Sequence, residues 1–233
     1  MTGGCNGRRR APVLPLYFVM AGVLPVGMPL TVDFKQAPVG SWAEYEVKVG
    51  GSEPAAMKTR WAFVGRDASG NTLELTMDGP AAASDRLGGK VVTRMVLLPD
   101  PIGSSKPIRQ LIVQVGDRDP VEVPLGTPGL PGQKFQNPDP KKLVGKATIT
   151  VAGAKFQVGH YRDVLPDSTV DSWISAEVPP LGVVKIVSTP RPDAAGPGGR
   201  PLPAVTMELT AHGRNARPAI TRPARLLQAA DAQ

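Results

Sequence analysis

Apolar and polar residues alternate with period two along most of the chain from Gly40 onward, which is the pattern of half-buried β-strands. In "WAEYEVKV" (42–49), Ala43, Tyr45, Val47 and Val49 share one face, and Trp42, Glu44, Glu46 and Lys48 share the other. "GGSEP" then turns the chain, and "MKTRWAFV" (57–64) puts Met57, Thr59, Trp61 and Phe63 on one side. "GRDASGN" has the residues of a hairpin turn, and "TLELTM" (72–77) returns with Leu73, Leu75 and Met77 facing inward. Residues 41–78 therefore read as a three-stranded meander. Two further strands are predicted at 91–98 and 108–115, and a short edge at 121–123. Five more follow, at 146–152, 155–162, 169–175, 183–189 and 204–211. These later strands are more uniformly apolar, which predicts that they lie deeper in the sheet. A single helical turn is expected within 79–90. The fold class is all-β and mainly antiparallel, with about ten strands forming one large curved sheet, a sandwich or a barrel. Helix should account for less than about a fifth of the chain.

Punctuation supports the many-strand reading. The chain has 26 Gly and 26 Pro in 233 residues, spread between the β-branched runs rather than gathered in one block. Aromatic residues make up only 5%, so the core should consist mostly of Val, Leu, Ile, Ala and Met. Residues 124–142 carry five Pro and three Gly and form either a cover loop or a linker. "PRPDAAGPGGRPLP" (190–203) reads as a flexible loop between the last two strands.

The net charge of +7 raises the question of nucleic acid, and its distribution answers it. Residues 1–40 hold Arg8, Arg9, Arg10 and Lys35 against Asp33, and residues 213–233 hold Arg214, Arg217, Arg222 and Arg225 against Asp231. The body, 41–212, is balanced. A nucleic-acid reader needs a basic stripe on its folded face, so no nucleic-acid partner is expected. The segment 213–233 reads as a basic, disordered tail, with a helical turn near 226–232.

At the other end, three Arg precede 20 uncharged residues, Ala11 to Leu30, in the order of a secretory signal. Four Pro interrupt the apolar run, leaving too short a helix for a ~20-residue membrane span. Residues 1–30 are thus an expected export signal or membrane anchor, with Val19-Met20-Ala21 as a cleavage site. Cys5 is the only cysteine, and "TGGC" has the form of a bacterial lipidation site. Both readings place the protein in the periplasm or on an envelope membrane. The domain plan is 1–30 signal or anchor, 31–212 β domain, and 213–233 tail.

Motif chemistry is sparse. There is no phosphate-binding glycine loop, no G-x-S-x-G elbow and no H-E-x-x-H pattern. One Cys and two distant His are too few for a zinc site, so neither metal nor cofactor is expected. His160 sits within a strand and is expected to be a hydrogen-bonded or surface residue; His212 closes another strand. Asp163, Asp167 and Asp171 cluster around one turn, as turn chemistry allows. The chain is expected not to be an enzyme, with a carboxylate-based hydrolase as the remaining alternative.

"VDSWISAEVPPLGVVKI" (170–186) reads as a hairpin. Pro179 ends the first arm, Pro180 presets the turn, and Gly182 closes it. Together with "GHYRDVLPDST" before it and "VGSWAEYEVKV" (39–49), this stretch resembles exported bacterial proteins of the lipoprotein-carrier type (LolA/LolB-like). The matching motifs are Trp173-Ile174-Ser175 and the Pro179–Gly182 turn, which carry over as fold markers. The resemblance covers roughly 40–49 and 159–187. It implies a half-barrel whose concave face holds an acyl chain or other apolar ligand, and Trp61, Phe63 and Trp173 are the candidate lining residues. The expected function is a non-enzymatic envelope protein that binds a lipid-like ligand on this face. The alternative is an interaction module that meets a protein partner at its sheet edge or at the 124–142 loop.

Overall fold

The computed structural model describes residues 34, 36–50, 55–79, 89–125, 135–194 and 201–226. The expected helical turn within 79–90, the proposed signal at 1–30 and Cys5 lie outside them, apart from residues 79, 89 and 90. Twelve strands form one open sheet: β1 (Trp42–Val49), β2 (Ala55–Asp67), β3 (Gly70–Asp78), β4 (Val91–Leu97), β5 (Ile108–Val115), β6 (Val121–Glu122), β7 (Leu143–Val151), β8 (Ala154–Val164), β9 (Ser168–Ile174), β10 (Val183–Pro190), β11 (Val205–Gly213) and β12 (Arg225–Leu226). Among the described residues the only helix is one 3-10 turn, Pro140–Lys142, capped by the Asp139 side chain. The spatial order is β12-β6-β5-β4-β3-β2-β1-β11-β10-β9-β8-β7. Every pairing is antiparallel except that of β12 with β6.

The all-β, antiparallel expectation holds, and the arms of each predicted hairpin pair as the alternation requires. Ala43, Tyr45 and Val47 are buried while their polar neighbours are not, and Leu73, Leu75 and Met77 are buried on the facing side of β3. Gly70 closes the β2–β3 hairpin at φ +138°, where an added Cβ would sit 1.8 Å from the Leu97 carbonyl oxygen, so no side chain fits.

The sheet curls. The Tyr45 hydroxyl on β1 donates to the Val183 carbonyl at the start of β10, with β11 between them in the sheet order (3.0 Å). Phe156 on β8 meets His212 on β11 with ring centroids 5.7 Å apart, although β9 and β10 intervene in the sheet order. The interior so enclosed is filled by the protein's own side chains. Phe34 packs edge-on against Phe63 at 5.3 Å, and Phe135, from the 124–142 segment, is buried beside them. That segment is therefore anchored to the core, at least at its Phe135 end. The β9–β10 connection contributes Val178 and Leu181, both fully buried. The hairpin expected at 170–188 is present and Gly182 has φ +68°, but residues 175–182 plug the interior rather than turning at the surface. The Pro179–Pro180 bond is cis.

Two expectations are corrected. The later strands do not all lie deep: β10 and β11 are central, whereas β7 is an edge strand with mostly exposed residues. Thr, Val and Ile favour a strand whether or not it is covered, so composition alone overstated its depth. The expected disordered tail is also wrong over 213–226. After β11 the chain reverses at Asn215 (φ +69°), where the Ala216 amide donates to the Gly40 carbonyl (2.8 Å). It then crosses the outer face of β3, β4 and β5 as a strap. Ile220 is buried against Val92 and Ile112. Glu74, on the outer face of β3 and only 2% exposed, accepts the amides of Ala219 (2.6 Å) and Ile220 (3.3 Å). Arg94 pairs with the same carboxylate (2.6 Å) and donates to the Ile220 carbonyl. Arg222 reaches Asp119 (2.7 Å) and the carbonyls of Asp117 and Arg118. Of the arginines that made this segment look like a solvated tail, Arg222 holds it down through its side chain and Arg225 through its backbone in β12.

Removing one partner of a buried ion pair leaves the other uncompensated. Glu74→Ala is expected to lower stability by about 3–5 kcal/mol in urea unfolding. A change below about 1 kcal/mol, the scale of an exposed pair, would show that the strap is not clamped there.

Candidate functional site

The three candidate lining rings are not brought together. Trp61 and Phe63 lie on the inner face of β2 and are 1% and 0% exposed. Both are part of the core among the described residues. Trp173 alternates with the buried residues Val170 and Ser172 of β9; it is half-buried, packs against the margin of the main core, and has Lys185 on β10 and His160 on β8 as cross-strand neighbours.

Around Trp173 the structure assembles a cluster that sequence reading treated only as separate residues. The His160 and Trp173 rings stack with centroids 4.6 Å apart and planes within 4° of parallel. His160 Nε2 lies 2.5 Å from Asp171 Oδ1, and Arg162 reaches both oxygens of Asp171 at 2.9 and 3.3 Å. His160 thus fits the expectation of a hydrogen-bonded strand histidine. Burial works against the charge on Asp171, but hydrogen bonds from Arg162 and His160 and their charges outweigh it, holding the carboxyl below the usual carboxylate range. The partnership could have been found by counting outward from the turn, because β8 and β9 pair 162 with 171 and 160 with 173. Of the other clustered aspartates, Asp163 pairs with Lys142 (2.6 Å), and the backbone carbonyl of Asp167 accepts from the Arg191 amide.

Between the 136–142 segment and strands β8 and β9 lies a recess of about 110 Å³, lined by residues that include Asn137, Lys142, Tyr161, Asp163 and Ser172. Its size and mixed polarity do not suit an acyl chain; ligand pockets usually run to about 300–1,000 Å³. Among the described residues, no group of His, Cys, Asp and Glu could hold a metal ion, and no helix is long and apolar enough to cross a membrane.

The remaining feature is the edge. On one side β7 pairs with β8; among the described residues no strand is hydrogen-bonded along its other side, although part of β7 comes close to β11. Leu143 and Val144 are 40% and 56% exposed. Lys141, Lys142, Lys146 and Lys155 line the 141–158 stretch, which contains no acidic residue. The last residue of β7, Val151, is buried, so the accessible part of the edge runs over 143–150.

No family model matches the chain, and no curated protein does. Solved structures that it resembles include a hypothetical protein from Chlamydia trachomatis (13% identity, 79% of this chain and 91% of that one, TM-score 0.42). A Bacteroides fragilis protein of YmcC-like fold is similar at 12% identity (76% and 97% covered, TM-score 0.33). A chain of the Pseudomonas aeruginosa MucA/MucB complex is similar at 12% identity over 77% of this chain and 53% of its own length, with a TM-score of 0.35.

The two tryptophans should respond differently to truncation. Trp61→Ala is expected to cost about 3–5 kcal/mol through the cavity it leaves, and Trp173→Ala, half-buried at the margin of the core, clearly less. Urea midpoints of the two variants compare them; an equal or larger loss for Trp173 would show that it is packed as tightly as Trp61. Acid provides a second test. Because its folded pKa is depressed, Asp171 contributes stability that is present above its unfolded value, about 3.9, and is lost as pH falls through the folded value. Asp171→Asn should therefore flatten the fall in urea midpoint between about pH 5 and pH 2. An unchanged slope would mean that the carboxylate is not held by its partners.

Proposed function

We propose that the protein is an exported, non-enzymatic interaction protein of the cell envelope that recognises an extended segment of a partner protein along the edge of β7. The observation that carries this reading is the edge itself: a nine-residue, β-branched strand with exposed apolar residues and one face of its backbone ladder unused among the described residues. Such an edge gives affinity through main-chain hydrogen bonds and specificity through alternate side chains. Export is supported by the order of residues 8–30, three arginines and then an uncharged apolar stretch. Attachment to a membrane would come from that segment or from a lipidated Cys5.

The burial of Trp61 and Phe63 favours this reading over a lipid carrier, because a ligand on the inner face would have to displace the core. Against a hydrolase, His160 is engaged with Asp171 and Trp173 in a network whose charge is balanced by Arg162.

A photo-crosslinking residue placed at Val144 in cells should yield protein adducts, whereas the same residue at Lys58, exposed on the outer face of β2, should not. A bound lipid in the purified protein, with no adduct from position 144, would overturn the proposal in favour of the carrier reading.

A further inference from the structure

His160 stacks on Trp173 at 4.6 Å, close to the spacing of neighbouring strands, so the ring planes stand across the hydrogen-bonding direction. One face of the imidazole is covered by Trp173 from β9. The other looks toward β7, where the residue in direct register with His160 is Gly145. Gly145 leaves that place empty: a Cβ built on it meets nothing within 4 Å. The row therefore runs Trp173, His160, gap, and then the exposed edge. The register shifts between Leu143 and Gly145, with Val144 inserted beside the gap and 56% exposed.

We infer that the segment added at β7 carries an aromatic side chain that crosses the Gly145 gap and stacks on the open face of His160, flanked by acidic residues that meet Lys141, Lys146 and Lys155. This rests on the edge reading above and specifies its ligand. A ring on a strand beside β7 is the group that can span a missing side chain; long and aromatic side chains reach diagonal and next-strand neighbours, whereas short ones do not. Aromatic groups also prefer to complete a stack rather than contact bare backbone. The charge argument is independent. The four lysines of 141–158 face no acidic residue within that stretch, and Lys142 alone among them is paired, with Asp163. An acidic strand would be drawn to this edge and a basic one repelled.

The test uses two synthetic nonapeptides of alternating Glu and Val, one with a central Trp and the other with Ala in its place, titrated calorimetrically into the full-length protein. The Trp peptide is expected to bind about tenfold tighter. It should also move the ring-proton signals of one of the two histidines upfield, which the Ala peptide should not do. Gly145→Val, which the open strand position accommodates, should bring the ratio of the two affinities close to one. Equal binding of both peptides to the unaltered protein would overturn the aromatic slot and leave the edge reading intact. Binding of neither would overturn both. A Trp preference that survives Gly145→Val would place the ring elsewhere. An equal histidine shift from N-acetyltryptophanamide alone would mean a site for free aromatic compounds rather than for a strand.

Discussion

Tyr45 stands where the two halves of the sheet meet. β1 is the only strand that pairs with both halves, β2 on one side and β11 on the other, so the meander β2–β6 and the meander β7–β11 are one sheet only through it. At its middle the register with β11 shifts between Glu44 and Tyr45, and the phenol turns inward to donate to the Val183 carbonyl. Full burial pushes the Tyr45 hydroxyl well above its ordinary pKa, so it remains a donor throughout the physiological range. That single bond draws the start of β10 toward β1 across an intervening strand. The curl it helps fix decides which face becomes interior. It also decides that the 175–182 loop, with Val178 and Leu181, has a cavity to fill.

The outer face follows different rules. A sheet of this breadth exposes its polar side, and most of that side is ordinary: Glu46 beside Lys48, Lys185 beside Glu208, Arg60 over the Trp42 ring. Such exposed pairs add little. Over β3–β5 the strap changes the environment. Glu74 and Arg94 become the interior of a second, smaller interface, where a carboxylate and a guanidinium read the backbone of residues 219 and 220 as well as each other. The strap also contributes β12 beside β6, which becomes that margin of the sheet.

Local alternation made most strands legible to within a few residues, because the period-two signal needs only a strand and one dry side. Trp42–Val49 and Ile108–Val115 are examples. What depends on distant partners was not legible. Glu74, between Leu73 and Leu75, looks like any solvent-facing residue until Ile220, 146 positions later, is laid over it. The depth of β7 was misjudged because "KATITV" has the composition of a covered strand and the position of an edge. Trp61 and Phe63 were found as a face, but whether that face opens on a ligand or on a core depends on Phe34, Phe135 and the 175–182 plug. The His160–Asp171 pair was within reach of counting across the β8–β9 turn; the Gly145 gap beside it needed the bulge at Val144 as well.

The two margins of the sheet are unlike: one is the two-residue strand β12 beside the equally short β6, the other is the nine-residue β7. Stacking of copies into a ribbon needs two different open margins on each molecule, so that growth at one leaves the other available. A two-residue margin offers few main-chain hydrogen bonds, so β7 is the margin with length to pair, and two copies joined there would meet like to like, β7 against β7 about a twofold axis. A pair built this way would be closed, and any partner that takes the β7 margin would compete directly with it.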